Sequence, residues 1–433
     1  MRLLKKIDTL TVDYARTPVP EDKLRGPISL FLVWIVAMVN LLFIFFGITM
    51  SRGMPLEEAF LACLIGQTLS GLLLGITAIF AAKTRLASGQ LLPHIFGKYG
   101  GMLISALIGF MGIMWFGFQL EVFSKSFTRI TGLSGSALQI VIFVSGLIMI
   151  SSGVIGFKAI DWLSRIATPF LFILIALPVI WYFYQGGSFT DLGEDSQFNQ
   201  TITLGTGISM LMGGLAVPLI ITADIMRYSA SPKQAFWTTF LAQALGAVII
   251  VGFALLLGRI SAESEFVDII AAAGFGSFGL ILILLATWTT NDTNIYISSL
   301  AIASILERLK KWKIAVLCGL AGISVALFGI VDYFTQLLSI LGILFGPAGA
   351  VFQAGLFFKS KNTDFSEHFY SSSFDLKASL AFVSGAAVSI MTNEKAQLGF
   401  ELFNLTTIPL MDGYLVSLLV YVLVHKINHK TNI

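Results

Sequence analysis

The chain has 433 residues, 56% of them hydrophobic and 12% charged, with a formal net charge of +3 and a mean hydropathy of +0.87. A soluble globular domain carries about 25% charged residues, so a single water-soluble core is excluded and an all-α polytopic membrane protein is expected. The 41 glycines fit that class, because glycine lets transmembrane helices approach closely or break locally.

Residues 1–27 are polar and mixed in charge, with Pro18 and Pro20, and lack a short apolar region followed by a small-residue cleavage site. The first apolar run is therefore expected to act as its own insertion signal. A transmembrane helix needs about 20 apolar residues. Twelve runs meet that need: 28–50, 59–81, 101–127, 137–156, 166–184, 203–226, 235–257, 278–305, 314–331, 334–358, 376–391 and 405–424. A short interfacial helix is expected at 266–273, and 90–99 is either another such piece or the start of the third run. Of the 27 Lys and Arg residues, 22 fall in the N-terminus, every second connection and the C-terminus, and five in the other connections. The positive-inside rule then places both termini in the cytoplasm of a multi-pass protein of the cell (inner or plasma) membrane.

Two runs read as broken. The first places Asn40 near mid-membrane, after Ala37-Met38-Val39, and the sixth carries Gly205-Thr206-Gly207, Gly213-Gly214 and Pro218. Proline removes a backbone donor and clashes with the preceding turn. Paired interruptions at corresponding positions point to a transporter's binding site. They correspond here if 28–184 and 203–358 are inverted repeats forming a ten-helix core, 28–358. Residues 376–424 are then two additional helices and 425–433 a cytoplasmic tail. The alternative for the sixth run is a plain proline kink.

In the third run Trp115 and Gln119 lie one turn apart on one face. An indole offers a planar heterocycle a stacking surface, and an amide can donate and accept. Trp115 is equally readable as a packed core residue. Glu121 reads as a boundary charge near the outer end of this run, with an interior carboxylate as the alternative. Asp224 and Arg227 are spaced to pair at the cytoplasmic end of the sixth.

The eighth run holds the densest polar string, Ala286-Thr287-Trp288-Thr289-Thr290-Asn291-Asp292-Thr293-Asn294. Polar groups at bilayer depth are expensive and usually face a bundle interior or a hydrated cavity. Thr287, Asn291, Asn294 and Ser298 form one stripe at helical spacing. The Thr289 and Thr290 hydroxyls, with the Ala286 carbonyl one turn earlier, offer oxygens suited to a small hard cation such as sodium. Interhelical hydrogen bonding is the bland alternative. Asp292 is turned about 200° from Thr290, at about 100° per residue, so it is not expected to be a ligand.

Other classes lack their signatures. Cys63 and Cys318 give no disulfide framework or zinc spacing, and the four histidines show no ligand pattern. No enzyme activity and no organic cofactor are expected. A channel's repeated filter or charged ring is missing, and so is a basic, aromatic-rich domain for nucleic acid. The expected partners are the lipid bilayer and a small molecule.

At Trp288-Thr289-Thr290-Asn291-Asp292, Thr222-Ala223-Asp224-Ile225-Met226-Arg227-Tyr228 and Trp115-Phe116-Gly117, the chain resembles the nucleobase–cation symporter family, and within it the cytosine permease branch. The likeness covers nearly the whole chain. It implies a five-plus-five inverted-repeat core with two extra C-terminal helices and alternating access. Coupling in the family is usually to sodium and sometimes to protons. It implies that Trp115 stacks on the substrate ring and that Gln119 contacts substrate; Asn291 matches an asparagine of the eighth-run motif, Asn294 lies one turn on, and both are expected substrate contacts. It further implies a sodium site made of the Thr289 and Thr290 hydroxyls and the Ala286, Ala37 and Asn40 carbonyls. Two departures stand out. Gly112 occupies a position where cytosine permeases carry glutamine, and Gly214-Leu215-Ala216-Val217 aligns with their Ser-Phe-x-Ser pattern at the sixth-run break. Gly214 and Leu215 are the expected substrate contacts there. The departures open the substrate to other or bulkier pyrimidine-like rings, including a vitamin precursor such as hydroxymethylpyrimidine. An amino-acid or other small-solute symporter on the same architecture is the alternative.

Overall fold

A computed structural model describes residues 14–38, 41–155, 157–193, 202–261, 276–360, 365, 372–395 and 398–430. Among the described residues the fold is all helix; the single β-type contact is an isolated bridge between Arg25 and Ser229. In chain order the first helices are α1 (Pro27–Met38), α2 (Leu41–Gly53), α3 (Leu56–Thr84), α4 (Ser88–Phe96), α5 (Lys98–Thr131), α6 (Ala137–Gly153) and α7 (Phe157–Tyr184). After a short helical turn at Phe189–Gly193 come α8 (Leu204–Gly213), α9 (Pro218–Met226), α10 (Pro232–Ile260) and α11 (Gly276–Ala303). The last four are α12 (Lys311–Leu327), α13 (Phe334–Lys359), α14 (Leu376–Thr392) and α15 (Pro409–Lys430).

Five helices among the described residues are long and apolar enough to cross a membrane: Leu56–Thr84, Lys98–Thr131, Pro232–Ile260, Gln336–Lys359 and Pro409–Lys426. The pair α8 and α9, taken together, makes a sixth. The other predicted runs carry helices that are shorter or less completely described. Leu64, Leu103, Phe110, Ile140, Phe143 and Ile249 are exposed, apolar surface suited to a hydrocarbon phase rather than to water.

The sixth run does break. α8 and α9 meet at 44°, and the turn between them is closed by short bonds such as Leu215 N to Met212 O and Ala216 N to Gly213 O. Pro218 starts α9, where its missing N–H costs nothing. In the first run, α1 ends at Met38 and α2 starts at Leu41; Val39 and Asn40 lie outside the described residues. The interfacial helix expected at 266–273 also lies outside them. The ambiguity at 90–99 resolves into two elements. α4 stops at Gly97, whose φ of +80° suits glycine, and α5 starts at Lys98. A Cβ on Gly97 would also press on the Phe374–Asp375 backbone at 2.8 Å.

α5 and α11 pack closely against each other. A Cβ on Gly112 would lie 2.8 Å from Ser298 Cβ and 3.0 Å from Asn294 O, so only glycine lets these two helices come so close. At one end of the bundle, Arg227 is fully buried. Its guanidinium donates to Asp224 O at 3.1 Å, Tyr14 O at 2.7 Å and the Tyr296 hydroxyl at 2.9 Å. The Asp224 carboxylate accepts from Ser88 N and Oγ at 2.8 and 2.7 Å. The i, i+3 spacing of Asp224 and Arg227 therefore brings the arginine to the aspartate's main chain, while the carboxylate ties α9 to α4. Arg16 donates to the carbonyls of Ala303, Leu306 and Leu309 just past α11, satisfying groups a helix end leaves open.

Candidate substrate and cation site

The polar stretches of α5 and α11 converge on a cavity at the level of the α8–α9 break. The cavity is open in part to solvent. α5 contributes Trp115 and Gln119, and α11 contributes Thr290, Thr293, Asn294 and Ile297. Trp34 of α1 and Leu42 and Phe43 of α2 form a second wall. Gly214, Pro218, Ile221 and Ile225 close the side of the broken run.

Gln119 is the site's most informative residue. It is 1% exposed, and its Oε1 has no hydrogen-bond partner among the described residues. Buried polar atoms are nearly always bonded, so an orphaned amide oxygen on a cavity wall marks a place for an incoming donor. Trp115, one turn away, is half-buried and meets Phe118 edge-on at 5.7 Å and 89°.

On α11 the two asparagines divide their work. Asn294 lines the cavity and donates to Asn291 Oδ1 at 3.1 Å. Asn291 is fully buried behind it and donates to Phe116 O at 3.3 Å and toward Met149 Sδ at 3.4 Å. Asn291 thus stands outside the cavity lining and ties α11 to α5 and α6. Leu215 also stands outside it. It lines a separate small apolar void with Leu73, Leu74, Met212 and Leu219.

The Thr289 and Thr290 hydroxyls cluster on one carbonyl. Thr289 Oγ1 donates to Ala286 O at 3.0 Å and to Leu285 O at 2.8 Å, and Thr290 Oγ1 donates to Ala286 O at 2.8 Å. All three residues are buried. Each hydroxyl places its proton on the helix's own backbone, so its lone pairs stay available to a cation. Thr290 belongs to this cluster and to the cavity wall alike. α1, which contains Ala37, packs against α11; Asn40 lies outside the described residues. Asp292 faces the other way. Its Oδ1 accepts from Ser152 Oγ of α6 at 2.7 Å, and Ser152 Oγ accepts from Trp288 Nε1 at 2.6 Å. Glu121 sits away from the cavity, paired with Lys125 at 2.7 Å and accepting from Val331 N at 3.0 Å. Among the described residues no group of three His, Cys, Asp or Glu side chains could hold a metal.

Residues 18–420 match the family model described as permease for cytosine/purines, uracil, thiamine, allantoin. The chain belongs to this family. It is therefore a multi-pass membrane transporter and not an enzyme. The cytosine permease of Escherichia coli (strain K12) is 27% identical over 339 residues, 78% of this chain and 80% of the relative. Among solved structures, a nucleobase-cation-symport-1 family transporter in a closed conformation with bromovinylhydantoin bound superposes with a TM-score of 0.82 at 17% identity, covering 97% of this chain and 96% of the other. A substrate-bound, outward-open Na+-coupled sialic acid symporter gives 0.65 at 16% identity, covering 97% and 95%. At these identities the two structures establish the fold.

Several lining residues had no distinguishing mark in the sequence. Leu42, Ile221, Ile225 and Ile297 are apolar residues in apolar runs. Trp34 had a weak one, as the only tryptophan of the first run.

Proposed function

We propose that this permease imports a nucleobase or related planar nitrogen heterocycle, cytosine- or pyrimidine-like, together with a cation, sodium in preference to the proton, by alternating access. The observation that carries this reading is Thr290. Its side chain lines the cavity beside Trp115 and Gln119, and its hydroxyl shares the Ala286 carbonyl with Thr289. A cation held there touches the wall of the substrate site. The hydantoin-bound relative and the Na+-coupled neighbour of the same fold support the pairing of a small heterocycle with an ion.

In this reading Trp115 stacks on the ring, Gln119 and Asn294 bond its polar edge, and Gly214 leaves room at the break. Thr289, Thr290 and the carbonyls of Ala286, Ala37 and Asn40 make a neutral oxygen shell. Such a shell suits a monovalent ion, whereas carboxylates favour divalent ions. Twelve spans, arranged as repeats 28–184 and 203–358 with 376–424 added, carry the site, and both termini are cytoplasmic. Cytosine itself is not favoured over other rings. No side chain fits at Gly112, and the break contributes Gly214 and Pro218 but no hydroxyl to the lining.

The test is a binding screen of purified protein against cytosine, uracil, thymine, hypoxanthine, hydroxymethylpyrimidine and substituted hydantoins, with and without sodium. Thermal stability is the readout, since a ligand of the native state raises it. Stabilisation by one ring, larger in sodium, is expected. Stabilisation by free amino acids alone would favour the small-solute alternative, and a response to pH without a response to sodium would favour proton coupling.

A further inference from the structure

Trp34 lines the cavity from α1 and is 2% exposed. An indole has a single hydrogen-bond donor. That donor, Nε1, is given to Gln243 Oε1 at 3.2 Å. Gln243 is fully buried, and its amide donates in turn to the buried Gln67 Oε1. A chain of three side chains thus links α1, α10 and α3.

Gln243 sits in the π-helical turn Ala242–Ala247 that interrupts α10. Such turns insert one extra residue, re-aim the side chains they carry and recur at functional sites. The result here is directional. The polar tip of Trp34 is tied into the protein, so its carbon framework is what the cavity meets. The α8–α9 side of the cavity supplies Gly214, Pro218, Ile221 and Ile225, none of them aromatic. The aromatic residues of the lining besides Trp115 are Trp34 of α1 and Phe43 of α2, and Trp34 offers the larger ring surface.

Resting on the heterocycle reading above, we infer that Trp34 is a second ring-contacting wall of the substrate site and that Gln243 is the positioning residue that sets its plane. The site then selects flat, conjugated rings over puckered ones with the same polar edge. Trp34 and Trp115 stand on different helices, so a flat ring bridges α1 to α5. A puckered ring with identical N–H and C=O groups keeps the bonds to Gln119 but loses contact with one wall.

The experiment measures binding by calorimetry to purified wild type and variants. The ligands are uracil and thymine, each beside its 5,6-dihydro form, which keeps the polar edge and loses planarity. The expected wild type prefers the flat member of each pair. Trp34→Leu should weaken the flat member by roughly 5- to 150-fold, the equivalent of about 1 to 3 kcal/mol of base–aromatic stacking, and should weaken the dihydro form much less. Trp34→Phe, which keeps a ring without the N–H, should retain most of the preference. Gln243→Met should reduce the preference in wild type and have no further effect in the Trp34→Phe background, because the bond it removes is already gone. A purely structural Gln243 would weaken both ligands by one factor in both backgrounds, and that result overturns its positioning role. Wild-type binding unchanged by Trp34→Leu overturns the second wall while leaving the heterocycle reading standing. A wild type that binds neither these rings nor any heterocycle of the screen above overturns that reading and this inference together.

Discussion

Replacing Gln119 with leucine separates a binding role from a packing role by sign. Gln119 is 1% exposed, and its Oε1 has no hydrogen-bond partner among the described residues. An unsatisfied buried polar group costs about 1 to 3 kcal/mol, and an apolar group of the same shape relieves that cost. Gln119→Leu should therefore leave the empty protein as stable as wild type or make it more stable. The bound state moves in the opposite direction. The ligand's donor loses its partner and stays buried without one, which again costs about 1 to 3 kcal/mol and corresponds to a roughly 5- to 150-fold weaker Kd. Calorimetry on the tightest ring from the screen gives the affinity, and thermal unfolding without ligand gives the stability. Unchanged affinity, or a clear loss of stability in the empty protein, would refute the reasoning and make Gln119 a structural residue.

Other expectations follow from the same geometry. Trp115→Ala should weaken ring binding by about 1 to 3 kcal/mol, the scale of base–aromatic stacking, measured by the same titration; an unchanged Kd in a folded variant would assign Trp115 to packing. Gly112→Ala places a Cβ 2.8 Å from Ser298 Cβ and should destabilise the protein by about 1 to 3 kcal/mol through overpacking, read by thermal unfolding; a neutral result would mean that α5 and α11 are not so close. Single cysteines introduced in residues 1–27, in the 307–313 loop and in 425–433 should be unreactive to an impermeant reagent outside intact cells, and reaction at 307–313 would contradict the proposed topology.

The sequence's legibility follows from contrast. Apolar runs stood out against charged connections, so helix positions such as α3, α5 and α10 were visible from hydropathy alone. Gly213, Gly214 and Pro218 marked the bend between α8 and α9 because their backbone chemistry opposes a regular helix. Polar residues in apolar runs likewise exposed Gln119, Thr290 and Asn294. The same contrast fails for Ile221, Ile225 and Ile297, since an isoleucine facing a cavity and one facing lipid look alike in one sequence. Asn291 and Leu215 show a second limit. Helical spacing placed Asn291, and the family resemblance Leu215, beside residues that line the cavity, but Asn291 hydrogen-bonds to Phe116 O and Leu215 lines a separate apolar void. Gln243 was a polar residue in an apolar run, yet the π turn that aims it at Trp34 has no counterpart in hydropathy.

The most direct test of ion-coupled heterocycle transport is reciprocal linkage. The Kd of the best ring is measured with and without sodium, and the apparent Kd of sodium with and without the ring, on wild type and on Thr289→Ala, Thr290→Ala. A coupled site requires the two ratios to be equal, commonly a 5- to 150-fold change, because each ligand favours the same state. The double variant should lose the sodium response while keeping weak, sodium-independent ring binding through Trp115 and Gln119. A wild type whose ring affinity ignores sodium and follows pH instead would contradict the sodium site at Ala286, Thr289 and Thr290.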